Sequence, residues 1–154
     1  MCSLSDSSLH LFRAKSHNGK LADQDPIEVY WMGFSRKDPN ETDESKLKSE
    51  LNWIEKKVAY GASAHRHGHK EGEFEVTLVA LPHLKPVMKM MPSHHGSSSN
   101  IPRLVATIGE RECVILRVYV LASENMIGLP TVHWVNIHGI DLETGEEIVE
   151  KIRP

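Results

Sequence analysis

The residues with the clearest chemical potential are three histidines at alternate positions. They are His65, His67 and His69, within Ala64-His65-Arg66-His67-Gly68-His69-Lys70. On an extended segment alternate side chains project to one side, so three imidazoles would converge. Such a set suits Zn²⁺ or a similar borderline divalent metal, with a fourth position left open. Glu71 and Glu73 continue the same parity. The competing reading is a solvated loop: Gly68 and Gly72 interrupt the segment, and Arg66 and Lys70 repel a cation. His94 and His95 lie in a Ser- and Gly-containing stretch and make a weaker pair. The remaining histidines are scattered over strands and turns, so the ten in the chain do not form one centre.

A second set joins aromatic and polar groups. Tyr30 stands beside Trp31 in an apolar run, and Asn52, Glu55 and Tyr60 stand around Trp53 in a helical pattern. Aromatic rings with an amide and a carboxylate are suited to line a ligand cleft. The same aromatics also suit a core, with Glu55 on a solvated helix face. Arg117, with Tyr119, interrupts a strand that is otherwise apolar. A guanidinium there is expected to pair with Glu55 or an acid on a neighbouring strand, or else to hold an anionic ligand. The candidate ligand residues are therefore Tyr30, Asn52, Glu55, Tyr60 and Arg117, and the candidate metal ligands are His65, His67 and His69.

No catalytic residue is assigned. The chain has no Gly-x-Ser-x-Gly elbow, phosphate loop, dinucleotide fingerprint, Cys-x-x-Cys pair or His-Glu-x-x-His helix. Its two cysteines are too few for a disulfide framework, and Cys113, at the start of an apolar run, is expected to be a small core residue. A net charge of −3, with basic residues dispersed among acids, argues against nucleic acid as a partner. No apolar run reaches the ~18 residues of a membrane span, and no signal peptide is visible at the N-terminus. A cytoplasmic chain with no membrane partner is the expectation.

The elements that must position these residues follow from periodicity. Short runs rich in β-branched and aromatic residues predict strands over 9–13, 27–34, 74–81, 86–91, 103–108, 112–121, 131–142 and 147–152. In the run 112–121, Val114, Leu116, Val118 and Val120 are expected to face the core, with Ile115, Arg117 and Tyr119 opposite. Leu47, Leu51, Ile54 and Val58 recur at helical spacing and predict one helix over about 43–60, started by Thr42 or Asp43 and stopped by a left-handed Gly61. Stretches 16–25, 35–43, 62–72 and 92–100 read as loops, the last two mobile. The expected fold is mainly β (α+β). It is an antiparallel β-sandwich or partly open β-barrel of about 7–8 strands with one packed helix. A flexible N-terminus, 1–8, precedes a single domain over 9–152.

Five blocks carry a family resemblance. They are Leu11-Phe12-Arg13 with Ser16 and Asn18; Pro26-Ile27-Glu28-Val29-Tyr30-Trp31; Leu51-Asn52-Trp53-Ile54-Glu55-Lys56-Lys57 running into Ala59-Tyr60-Gly61; Arg117-Val118-Tyr119-Val120; and Gly139-Ile140-Asp141-Leu142-Glu143-Thr144-Gly145. In this order and spacing the chain resembles the family of domain of unknown function 4833, over nearly its whole length. The resemblance implies a stand-alone domain without an established activity, cofactor or substrate. The histidine-rich loops have no counterpart in the family pattern. The resulting expectation is a non-catalytic ligand-binding or protein-interaction module that needs no cofactor. Two alternatives stand beside it: a metal-binding protein or metal-dependent enzyme using the His-x-His-x-His loop, and a structural subunit of a larger assembly.

Overall fold

The computed structural model describes residues 8–33, 48–93 and 100–154, and expectations for the rest, including the first residues of the expected helix and the His94-His95 pair, lie outside them. In chain order the elements are β1 (Ser8–Ala14), β2 (Ser16–His17), β3 (Lys20–Leu21), β4 (Ile27–Gly33), β5 (Lys48–Glu50) and a short helix α1 (Trp53–Glu55) that widens into a π-turn over Lys56–Tyr60. There follow β6 (Ala62–Arg66), β7 (Phe74–Leu78), β8 (Val87–Pro92), β9 (Asn100–Ile108), β10 (Arg111–Glu124), β11 (Pro130–Asp141) and β12 (Glu147–Ile152).

Strands β6 to β12 form a seven-stranded sheet in which every strand pairs with its neighbour in sequence. Short hairpin connections dictate this antiparallel meander. Its edges β6 and β12 do not pair with each other, so the sheet is not a closed barrel. A three-stranded sheet, ordered β1-β4-β5, and the small β2-β3 hairpin complete the β-structure. The core is centred on Ile108, Ile137, Val76, Val135 and Cys113, all fully buried, and Phe12, Ala14 and Val29 from the three-stranded sheet pack against it.

Local chemistry explains the turns. Gly109 and Glu110 (φ +55 and +69) join Ile108 to its partner Arg111, a two-residue hairpin with both central residues left-handed. Asn18 and Gly19 (φ 51 and 72) do the same between His17 and Lys20, which converts part of the expected 16–25 loop into a hairpin.

Three expectations are corrected. Among the described residues of the expected helix, only 53–60 are helical. Lys48–Glu50 pairs with β4 instead, and the helix starts where Asn52 Oδ1 accepts the Glu55 N–H (2.8 Å) while Glu55 Oε2 accepts the Asn52 N–H (2.9 Å). This reciprocal capping box satisfies two donors that a helix start leaves free. The following turn is π, so the spacing of four between Ile54 and Val58 no longer marks one face: Val58 is exposed, and Ala59 and Tyr60 are buried. Gly61 ends the turn with φ −74, not in the left-handed region.

The second correction concerns the expected mobile loop over 62–72. Its first half is β6, paired with β7 from Ala62↔Leu78 to Arg66↔Phe74. The third concerns β10. Ile115 pairs with Gly139 and Arg117 with the adjacent His138, so Leu116 is an extra, bulged residue. The bulge shifts the alternation: Leu116 is half exposed while Ile115 packs on the core.

Asp141 is the buried charged residue at the end of β11. Its Oδ1 accepts the N–H groups of Glu143 (2.8 Å) and Thr144 (3.3 Å), and Arg111 Nη1 lies 3.2 Å from Oδ2. The backbone donor of Glu143 above all, with Thr144 and the Arg111 charge, holds its pKa below the ordinary carboxylate value, against the opposing pull of burial. A depressed folded-state pKa contributes stability that is present above the unfolded-state value and is lost as pH falls through the folded-state value. Urea unfolding of wild type and Asp141→Asn is therefore expected to differ at neutral pH and to converge below about pH 4. A difference that persists unchanged into acid would contradict the assignment.

Candidate functional site

Among the described residues, the most apolar of the main openings arises where two strands part. The β9–β10 ladder runs only from Arg111↔Ile108 to Val114↔Val105. Before Val105, β9 continues against β8 alone, and beyond Val114, β10 continues against β11 alone. The Leu116 bulge falls at this divergence and bends β10, as an extra residue in one strand does. Strand β1 forms the third wall. The result is a cleft of about 360 Å³ lined by Phe12, Arg13 and Ala14, by Pro102, Arg103 and Leu104, and by Ile115 to Val118, with Ile27, Leu78 and Met88 at its base. Ten of its thirteen lining residues are apolar, the other three are arginines, and no carboxylate is among them.

Each wall carries one sequence pattern: two apolar residues, Arg, then an apolar residue. It appears as Leu11-Phe12-Arg13-Ala14, Ile101-Pro102-Arg103-Leu104 and Ile115-Leu116-Arg117-Val118. On β1 both neighbours, Phe12 and Ala14, pack on the core, so strand alternation turns Arg13 to the opposite side; on β9 and β10 Leu104 and Val118 pack on the core, while the bulged, half-exposed Leu116 stands beside Arg117.

The five expected ligand residues do not share this cleft; Arg117 alone lines it. Arg117 does not form the expected pair with Glu55 or another acid, and its Nη2 donates instead to His138 Nδ1 at 3.3 Å. Tyr30 is buried under Lys48, whose Nζ lies 4.7 Å from the ring centroid, and borders a separate polar cleft of about 390 Å³. There Lys48 also pairs with Glu28, and that hydrogen bond holds the Glu28 carboxyl below its usual value. Asn52, Glu55 and Tyr60 border a recess of only about 70 Å³ against Gly128 and Pro130. This is well under the roughly 300 Å³ at which small-ligand sites begin. The capping box further engages the Asn52 and Glu55 side chains with each other's backbone.

The histidine triplet is divided by a turn. His65 lies on β6 opposite Glu75, whereas the chain leaves the strand after Arg66. The N–H of His67 donates to the Glu73 carbonyl (3.0 Å), and Gly68 adopts φ +57. Alternation ends there, and His67 Nδ1 comes to 3.9 Å from Glu75 Oε2. Among the described residues no three His, Cys, Asp or Glu side chains are grouped as a metal site. Cys113 is fully buried, and desolvation, followed by the Asp141 charge, pushes its thiol pKa up. That environment disfavours the reactive thiolate.

These features define a small mainly antiparallel β-domain with an apolar cleft rimmed by arginine. The chain belongs to the family described as Domain of unknown function (DUF4833), whose model matches residues 9–151. No curated protein and no solved structure matches it. Among the described residues no helix is long and apolar enough to cross a membrane.

Proposed function

We propose that this protein is a non-catalytic binding module that holds a small apolar ligand in the cleft between β1, β9 and β10. The observation that supports it is the lining: an opening of about 360 Å³ with ten apolar walls among thirteen. Small-ligand sites fall in the range of roughly 300–1,000 Å³ and are mostly apolar with a few placed polar groups. The finer architecture belongs to the same proposal. The three-stranded sheet acts as the second layer of a sandwich, and the ligand enters where the meander opens beneath it.

The test is titration with N-phenyl-1-naphthylamine, a neutral apolar dye that fluoresces when removed from water. Saturable one-to-one binding is expected. Ala14→Phe, which projects a ring into the cleft, should weaken it at least about tenfold. Leu116→Glu, at a half-exposed position that tolerates a charge, should do the same with the fold kept. Absence of saturable binding to wild type, or unchanged binding by both folded variants, would overturn the proposal.

A further inference from the structure

We infer that the ligand is an amphipathic anion, a free fatty-acid-type carboxylate, with its hydrocarbon chain in the cleft and its head group on Arg103 and Arg117; this rests on the cleft being the binding site. The argument begins with charge. The chain carries a net charge of −3, yet the cleft's polar lining consists of three arginines and no acid. None of the ion pairs among the described residues engages Arg103 or Arg117.

Register adds an independent observation. Arg103 stands directly opposite Lys89 on the adjacent strand. Like charges facing each other across an antiparallel pair repel, so this position is unfavourable without an anion beside it. Arg117 is held laterally by His138 Nδ1 at 3.3 Å, which orients the guanidinium; the same nitrogen lies 3.6 Å from Glu147 Oε1, a carboxylate that reaches the imidazole and makes no direct ion pair with Arg117. Arginine's planar fork matches a carboxylate with two parallel hydrogen bonds.

The apolar part of the ligand follows from what lies inside. Phe12, Leu104, Ile115 and Val118 line the cleft and belong to the core-facing side of their strands. A chain of methylenes gains free energy in proportion to the apolar area it buries there. A purely polar anion would leave this surface wet, and a neutral hydrocarbon would bring no charge to Arg103 and Arg117. A chain ended by one carboxylate satisfies both.

The experiment displaces N-phenyl-1-naphthylamine from the full chain with three ligands of equal length: decanoate, decanol and decyltrimethylammonium. Decanoate is expected to displace the dye at about tenfold lower concentration than decanol, and the cation at the highest concentration. In Arg103→Gln/Arg117→Gln the preference for decanoate over decanol should fall to near unity, and Arg103→Lys/Arg117→Lys should restore part of it. Equal displacement by all three ligands in wild type overturns the inference and leaves the apolar binding site standing. A preference for decanoate that survives the double glutamine variant also overturns it. Failure of wild type to bind the dye at all removes the binding site itself, and the inference with it.

Discussion

Gly61→Ala is expected to destabilise the protein by about 3 kcal/mol. The backbone angles do not demand glycine, because φ −74 and ψ 156 suit any residue. Space does. A Cβ built on Gly61 would lie 1.9 Å from the Lys56 carbonyl oxygen and 2.8 Å from its carbon. Those atoms belong to the backbone of the π-turn, so no side chain can swing aside. Relief requires unwinding the turn that carries Ala59 and Tyr60 into the core, at 1% and 4% exposure. Gly145→Ala is the control. Gly145 has φ +73 with nothing within 4 Å of an added Cβ, so its cost is conformational, about 1 kcal/mol. Urea unfolding midpoints and slopes of the two variants decide the matter. A loss at Gly61 no larger than at Gly145 would mean that the turn relaxes freely.

The contrast between these two glycines shows what a sequence can and cannot display. The Gly145 turn is legible because turn chemistry is local: Asp141, Thr144 and Gly145 act on one another within five residues. The strands from Phe74 to Ile152 are legible for the same reason, since alternation and hairpin turns are written along the chain. The Asn18-Gly19 hairpin was equally local and was available as an Asn-Gly signal between short runs. The helix start was local too, because Asn52 and Glu55 stand at capping-box spacing. The apolar spacing from Leu47 misplaced it by assuming an unbroken α-helical period.

The cleft is a different case. Its walls come from positions 12–14, 102–104 and 115–118, and no period links them. Arg117 was visible as an anomaly on its own strand, but the meaning of that anomaly depended on two other strands that carry the same pattern. The Leu116 bulge, which opens the gap, has no signature in a run of apolar residues where either face is acceptable. The histidine triplet is the reverse case. Its spacing was suggestive, and a turn beginning after Arg66 removed the strand geometry on which the suggestion depended.

Ile137→Ala should remove roughly 2–5 kcal/mol of stability. Ile137 is fully buried on β11, next to the β12 edge of the meander, paired with Val118 on one side and Glu150 on the other. The cost combines the lost burial of the side chain with the cavity left between strands that cannot close, because both neighbours hold β11 in its ladder. For a domain of this size the thermal midpoint should fall by about 10 °C. Val149→Ala on β12, 54% exposed, should cost under about 1 kcal/mol and serves as the comparison. The consequence reaches the cleft, since Val118 lines it and packs on the core beside Ile137. Well below its unfolding temperature, Ile137→Ala should therefore also bind N-phenyl-1-naphthylamine more weakly than wild type, whereas Val149→Ala should match it. Calorimetry and dye titration on the same two variants test stability and site together. An Ile137→Ala protein with wild-type stability would place the centre of the core elsewhere. Normal dye affinity in a destabilised Ile137→Ala protein would show that the cleft wall is held by its own strands and not by the core behind it.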